Sequence, residues 1–73
     1  MRSLSRAMLT NRRRQVLDLL LAGKVNKEIA QALNISVRTV KFHVSSLLAI
    51  YGARSRYQLM AMHIGRGNHD PIR

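Results

Sequence analysis

The stretch that decides the fold of this 73-residue chain is NKEIAQALNISVRTVKFHVSSLLAIYG, residues 26–52. Its first part places apolar residues on one side of a short helix, predicted over about 27–33. Asn34 tolerates the left-handed backbone that ends a helix, and Ser36 is a favourable N-cap for the next helix. Apolar residues then keep the helical period until Gly52 supplies a C-cap. The stretch therefore predicts a short helix, a tight turn and a long helix.

Two more helices are predicted beside this pair. Thr10 is the expected N-cap of a helix over about 11–22, which Gly23 ends. Ser55 is the expected N-cap of a fourth helix that runs to about residue 64. Apolar residues fill six of the eight positions from 57 to 64, so no side of this helix is polar. We expect one face to pack inward and another to contact a partner; the simpler alternative is a frayed, Met-rich helix.

The remaining segments show no helical period. Residues 1–8 are predicted to be a flexible lead-in, and residues 65–73, with two glycines and the single proline, a disordered tail. No hairpin signal occurs anywhere in the chain. The prediction is an all-α protein with one domain, a four-helix helix-turn-helix unit over residues 9–64.

Charge and composition narrow the function. Lys and Arg number 13 against three acids, for a net charge of +10, which favours binding to a polyanion such as nucleic acid. At 47%, the hydrophobic content is too high for a disordered basic tail, and no apolar run is long enough to cross a bilayer. The N-terminal segment lacks the apolar stretch of a signal peptide, so we expect a cytoplasmic location.

Catalysis and metal binding are not expected. The chain has no Cys, and His43, His63 and His69 lack metal-ligand spacing, so no metal or other cofactor is predicted. It also lacks a carboxylate pair, a Gly-rich phosphate loop and an oriented nucleophile. We therefore predict that the protein is not an enzyme.

The long helix of the deciding stretch has two chemically distinct faces. Its core-facing residues are Val37, Val40, Val44, Leu47 and Leu48, and its opposite side carries Arg38, Lys41, Phe42 and Ser45. A short helix, a turn and a longer helix with a basic face are typical of a helix-turn-helix, whose second helix enters the DNA major groove. Composition and periodicity alone thus indicate a DNA-binding three-helix core with one extra helix.

Motifs along residues 9–64 strengthen this interpretation. They are Leu9-Thr10, Val16-Leu17, Gly23, Asn26-Lys27-Glu28-Ile29-Ala30, Leu33, Ile35-Ser36, Thr39-Val40-Lys41, His43-Val44 and Arg54-Ser55-Arg56. In their order and spacing they resemble the LuxR/GerE-type DNA-binding domain of bacterial transcription regulators. The resemblance implies a four-helix domain whose third helix enters the major groove and whose fourth forms a symmetric dimer on two-fold related half-sites.

The resemblance also implies which residues contact DNA. The family's contact positions correspond to Lys27, Thr39, Lys41 and His43, and its variable base-facing positions to Phe42 and Ser45. We predict base contacts by Lys41, Phe42 and Ser45, because a central lysine reaches guanine O6 and N7 and a phenylalanine suits a thymine methyl.

The remaining predicted site residues contact either DNA phosphates or a second copy of the chain. The predicted phosphate contacts are Lys27, Arg38, Thr39 and His43. The predicted dimer interface on the last helix is Tyr57, Met60, Ala61 and Ile64. Two questions stay open: whether the run 12–14 of arginines contacts phosphate or is merely solvated, and whether Arg54 or Arg56 contacts DNA or, as favoured for Arg56, pairs with Glu28.

Three departures from the family pattern distinguish this chain. Arg13 stands where the family commonly has Glu, so Thr10 loses a capping-box partner. Val25 stands where the family prefers Ser, which leaves Glu28 without its mate and predicts a late start for the second helix. Ile50 and Tyr51 replace a Lys-Leu pair. Family proteins usually also carry a receiver or ligand-sensing domain, which eight preceding residues cannot hold.

The predicted function is sequence-specific binding to double-stranded DNA at the bacterial nucleoid by a transcription regulator that dimerises through its fourth helix. We expect the chain to be either the effector domain of a regulator whose receiver or ligand-sensing domain is missing here, or a small stand-alone regulator. One alternative is a small interaction protein that forms heterodimers with full-length LuxR-type regulators and modulates them. Another alternative is a basic amphipathic peptide that binds membranes. The helix-ending and helix-starting residues Asn34, Ser36 and Gly52 disfavour it, because they divide the chain into several helices.

Overall fold

The computed structural model describes residues 9–72, with side chains through residue 64. Four helices follow one another in this part of the chain: α1 (Asn11–Leu21), α2 (Asn26–Leu33), α3 (Val37–Tyr51) and α4 (Arg56–Ile72). No strand occurs among these residues, and the all-α prediction is confirmed. The predicted lead-in, residues 1–8, lies outside the described residues.

Local capping fixes most helix ends where the sequence predicts them. The Thr10 Oγ1 accepts a hydrogen bond from the Arg13 backbone N–H at 3.3 Å, and α1 begins directly after it. Before α3, the Ser36 Oγ accepts from the Thr39 backbone N–H at 3.0 Å. Asn34 and Gly52 end α2 and α3 with φ of 57° and 68°, in the left-handed region. These ends need only nearby atoms, so sequence reasoning finds them.

The start of α2 corrects one expectation. The helix does not start late: it begins at Asn26, and Val25 is its N-cap residue. The apolar side chain of Val25 accepts no hydrogen bond. The carboxylate of Glu28 instead accepts from the Val25 backbone N–H at 3.0 Å. Half of a capping box therefore survives the loss of a polar cap, because the Glu side needs only a backbone N–H as its donor.

The C-terminal end of α4 also differs from the prediction. The sequence predicts a helix end near residue 64 and a disordered tail over 65–73, whereas the helix continues to Ile72. Each residue added to an existing helix brings its own hydrogen bond, so the glycines weaken the helix without necessarily ending it. Glycine and proline near the end of the chain therefore do not end α4 before Ile72.

The four helices enclose one hydrophobic core. Its buried residues are Val16, Leu17, Leu20, Ile29, Ala30, Val40, Val44, Leu47 and Leu59. Helices α1, α2 and α3 supply all of them except Leu59, which belongs to α4, and Met60 of α4 packs partly buried against this core. Val37, expected to face inward, is exposed because it is the first residue of α3 and no preceding turn covers it. No helix in the described part is long and apolar enough to cross a membrane.

Candidate nucleic-acid interface

The side of α3 that points away from the core carries Arg38, Lys41, Phe42 and Ser45, and we call these four residues the outer face. All four side chains are exposed, and Phe42 is 60% exposed despite being apolar. They lie opposite the buried Val40, Val44 and Leu47. The core therefore fixes which side of α3 is presented, and that side offers two cations, a hydroxyl and an aromatic ring. The predicted base contacts all belong to it.

Thr39 lies on the flank of α3 and is half-buried. Its Oγ1 accepts a hydrogen bond from the Ser36 Oγ at 2.9 Å, while the Ser36 Oγ accepts from the Thr39 backbone N–H. The two residues thus form a reciprocal cap at the start of α3. The Thr39 hydroxyl still has its own proton to donate, which a phosphate oxygen can accept.

His43 also lies on the flank of α3, facing α1. Its Nδ1 is buried and has no hydrogen-bond partner in the described part of the chain, which leaves Nε2 as the ring atom for an outside contact. Burial lowers the pKa of the imidazole below its ordinary value of 6.5, and the nearby Arg13 and Arg12 guanidinium groups lower this pKa further. His43 is therefore held neutral more strongly than a histidine on an open surface.

The sequence did not predict that the arginines of α1 would face His43. Arg13 is half-buried and Arg12 exposed, and the first turn of α1 contains no acidic residue. Cations from α1 and the imidazole of α3 therefore occupy one side of the domain, next to the outer face. The only hint in the sequence was the departure from the family pattern at Arg13.

Lys27 stands in the first turn of α2 with an exposed side chain. It belongs to a different helix from the outer face. In helix-turn-helix proteins the first of the two helices crosses the DNA backbone, so a cation at this position suits a phosphate contact.

The prediction that Arg56 forms an ion pair with Glu28 is wrong. Arg56 donates from Nη1 to the Asn26 Oδ1 at 2.8 Å and from Nη2 to the Lys24 carbonyl oxygen at 3.0 Å. The Glu28 carboxylate caps α2 instead. Sequence reasoning missed the true partners because an amide side chain and a backbone carbonyl carry no charge signal.

Part of the solvent side of α4 is apolar within the residues whose side chains are described. Tyr57 is 75% exposed, Ile64 is 54% exposed, and Ala61 lies exposed between them, one helical turn from each. We call these three residues the α4 stripe. Met60, predicted to belong to the same interface, is half-buried against the core, so only part of its side chain is available.

No group of His, Cys, Asp or Glu residues that could hold a metal ion occurs in the described part. A surface depression of about 350 Å³ lies between α1 and α2, lined by Leu19, Lys24, Glu28, Gln31 and Ala32. It lies away from the outer face and holds no nucleophile aligned with a base.

Comparisons with known proteins place the chain in a family. Residues 7–63 match the family described as bacterial regulatory proteins, luxR family. The spore germination protein GerE of Bacillus subtilis (strain 168) is 43% identical over 54 residues, which cover 74% of this chain and 73% of GerE.

Two longer relatives match over a smaller share of their length. The transcriptional activator protein VanR of Vibrio anguillarum is 44% identical over 66 residues, 90% of this chain and 28% of VanR. The transcriptional regulatory protein FixJ of Rhizobium meliloti (strain 1021) is 42% identical over 59 residues, 81% of this chain and 29% of FixJ.

The chain thus spans most of GerE but less than a third of VanR and FixJ. No solved structure matches it. The family match extends over all of α1, α2 and α3 and over α4 as far as residue 63, with the outer face at its centre. This chain is a DNA-binding transcription-regulator domain and belongs to the luxR family of bacterial regulatory proteins.

Proposed function

We propose that this domain binds specific sequences of double-stranded DNA with the outer face of α3 in the major groove. Lys41, Phe42 and Ser45 contact base edges in this arrangement. Lys41 donates to guanine O6 and N7, the Phe42 ring contacts a thymine methyl, and the Ser45 hydroxyl accepts from or donates to a neighbouring base. The observation that carries the proposal is the outer face itself, which the core and both caps of α3 hold toward solvent.

Phosphate contacts orient α3 in the groove. Lys27 from α2 and Arg38 from the first turn of α3 are exposed cations on the two sides of the turn. The Thr39 hydroxyl and the His43 Nε2 lie on the flank of α3, where the sugar-phosphate wall runs. The net charge of +10 supports a large sequence-independent share of the affinity.

The protein acts as a homodimer, with the α4 stripe and the exposed part of Met60 as the interface. Support comes from the exposure of Tyr57 and Ile64, which water solvates poorly and which a two-fold related copy would cover. Two copies joined in this way carry two outer faces that are related by the same two-fold axis. They would bind two half-sites in opposite orientation, with centres about one helical turn apart.

Selection of bound DNA from a random pool tests the proposal most directly. The expected result is a palindromic consensus whose half-sites are about 10 bp apart from centre to centre. Affinity for this consensus should fall linearly with the logarithm of salt concentration, with a slope of ~0.9 per phosphate neutralised. A pool without enriched sequence, or affinity that salt does not change, would contradict the proposal.

The dimer has its own test in analytical ultracentrifugation with and without DNA. Ile64→Glu places a charge in the α4 stripe and should weaken self-association and cooperative DNA binding while leaving the fold intact. Met62→Glu is the matched control, because it also replaces an exposed apolar side chain of α4 by a charge, but outside the stripe. Met60→Glu is unsuitable, since Met60 also packs against the core. An intact chain that stays monomeric on DNA would refute the dimer.

The α4 stripe also favours a second candidate function, in which the chain forms heterodimers with a full-length luxR-family regulator and modulates it. Mixing the chain with such a regulator on the regulator's own DNA site distinguishes the two. A chain that binds no DNA alone but weakens the regulator's binding, and loses this effect in Ile64→Glu, would favour the second function.

A further inference from the structure

Arg56 makes two hydrogen bonds to residues far from it in the sequence. Its guanidinium group donates from Nη1 to the Asn26 Oδ1 at 2.8 Å and from Nη2 to the Lys24 carbonyl oxygen at 3.0 Å. These partners lie 30 and 32 positions away in the chain. Because both terminal nitrogens of one rigid, planar group are engaged, the contact fixes orientation as well as distance.

The two ends of this contact belong to different functional parts. Arg56 is the first residue of α4, the proposed dimer helix, and Asn26 is the first residue of α2. Lys24 belongs to the turn between α1 and α2, and Lys27, a proposed phosphate contact, follows Asn26 directly. The guanidinium group therefore joins the beginning of the dimer helix to the beginning of the DNA-binding unit.

The rest of α4 is held at a second point. Leu59 is fully buried in the core, and His63 contacts Tyr51 of α3 edge to face, with ring centroids 5.1 Å apart. These contacts hold the middle of α4 against the core and α3. Arg56 holds its beginning against the start of α2, so the two sets of contacts together define the direction of the helix.

We propose that Arg56 is a positioning residue that sets the angle between α4 and the helix-turn-helix unit, and through it the half-site spacing that the dimer accepts. This inference rests on the proposed dimerisation through α4. In a two-fold dimer, each copy carries its α3 at a distance and rotation that depend on the angle at which its α4 departs. Moving a half-site by one base pair also rotates it around the duplex, so a loosened angle should make the dimer accept several spacings.

Arg56→Lys is the variant that tests this proposal. It keeps the positive charge, so attraction to phosphate is conserved, but a single ammonium group on a flexible stem cannot reproduce the planar two-donor contact. Arg54→Lys is the matched control, because it makes the same exchange two positions away at an exposed side chain. Affinities are measured for the selected palindrome and for versions with one base pair added or removed between half-sites.

We expect the wild-type protein and Arg54→Lys to prefer one spacing strongly. Arg56→Lys should lower the ratio of affinities between the selected and altered spacings severalfold. Its affinity for a single half-site and its self-association without DNA should stay at wild-type values. Asn26→Ala removes one of the two acceptors and should change the spacing ratio in the same direction. The double variant should add little to Arg56→Lys, because both changes break the same contact.

Three results would overturn the inference in distinguishable ways. An unchanged spacing preference in Arg56→Lys refutes the role of Arg56 and leaves the proposed function standing. Equal losses at the single half-site and at every spacing, with a lower melting temperature, assign Arg56 to general stability only. A wild-type protein that binds half-sites without any spacing preference refutes the proposed dimer itself, and the role of Arg56 with it.

Discussion

Helices α3 and α4 differ in where their apolar residues lie. In α3 they are gathered on the inward side, where Val40 and Leu47 are fully buried, and a cap closes each end. In α4, within the residues whose side chains are described, only Leu59 is fully buried, while Tyr57 and Ile64 face solvent. Both helices are rich in apolar residues, so the difference lies in their arrangement.

This contrast separates two kinds of surface. Three of the four residues on the outer face of α3 are cationic or polar, with Phe42 as the apolar exception, so the face attracts a polyanion. The α4 stripe is apolar, and its exposure costs free energy until another apolar surface covers it. One helix therefore suits DNA and the other suits a second protein chain.

The largest expected effect is a loss of stability when a buried residue of α3 is truncated. Leu47→Ala leaves a cavity at a fully buried site and should lower the free energy of unfolding by about 2–5 kcal/mol. Ile64→Ala removes a similar side chain from the exposed α4 stripe and should change the stability of the monomer by less than about 0.5 kcal/mol. Urea unfolding at low protein concentration measures both. Similar losses in the two variants would mean that the two helices do not differ as described.

The next effect concerns DNA affinity and compares Lys41 on the outer face of α3 with Lys27 on α2. Lys41→Ala should cost about 1–3 kcal/mol of binding free energy and relax preference at one base pair in each half-site. Lys27→Ala should weaken binding to all sequences about equally and reduce the salt slope by about one unit. Affinities for the consensus and its single-base variants separate the two. A uniform loss in Lys41→Ala would make Lys41 a phosphate contact.

A smaller effect concerns the start of α3. Ser36→Ala removes the side chain that accepts from the Thr39 backbone N–H, and should lower the free energy of unfolding by about 1 kcal/mol. Ser45→Ala is the matched control, because it makes the same exchange at an exposed position in the middle of α3, where alanine favours the helix. Thermal unfolding compares them. Equal stability of the two variants would show that the cap does not hold α3.

The smallest effect is a pH dependence at His43. The unfolded chain has an ordinary histidine pKa near 6.5, and burial together with Arg13 and Arg12 lowers the pKa in the folded state. Between these two values the unfolded state binds more protons, so stability is complete above pH 6.5 and falls as pH drops through the lowered pKa.

Melting temperatures across this range should therefore decline toward acid. The decline should be shallower in His43→Gln, which does not titrate, and in Arg13→Gln, which removes one facing cation. A variant series with identical slopes would show that another group controls the acid response.

Local physics explains how much of the fold was predictable. The helix starts at Thr10, Ser36 and Ser55 and the helix ends at Asn34 and Gly52 depend on atoms within a few residues, so residue type and order suffice. The two faces of α3 follow from its period alone. Family motifs extended this to a function, because residues at fixed spacing on a known scaffold have fixed positions in space.

What only the tertiary structure decided involves residues far apart in sequence. Met60 packs inward while Tyr57, one turn earlier, faces out, because the rotation of α4 depends on the helices beneath it. His43 lies near Arg13 because α1 packs against α3. Arg56 reaches the Lys24 carbonyl and not the Glu28 carboxylate, since every residue carries a carbonyl and only the fold selects which one is in reach.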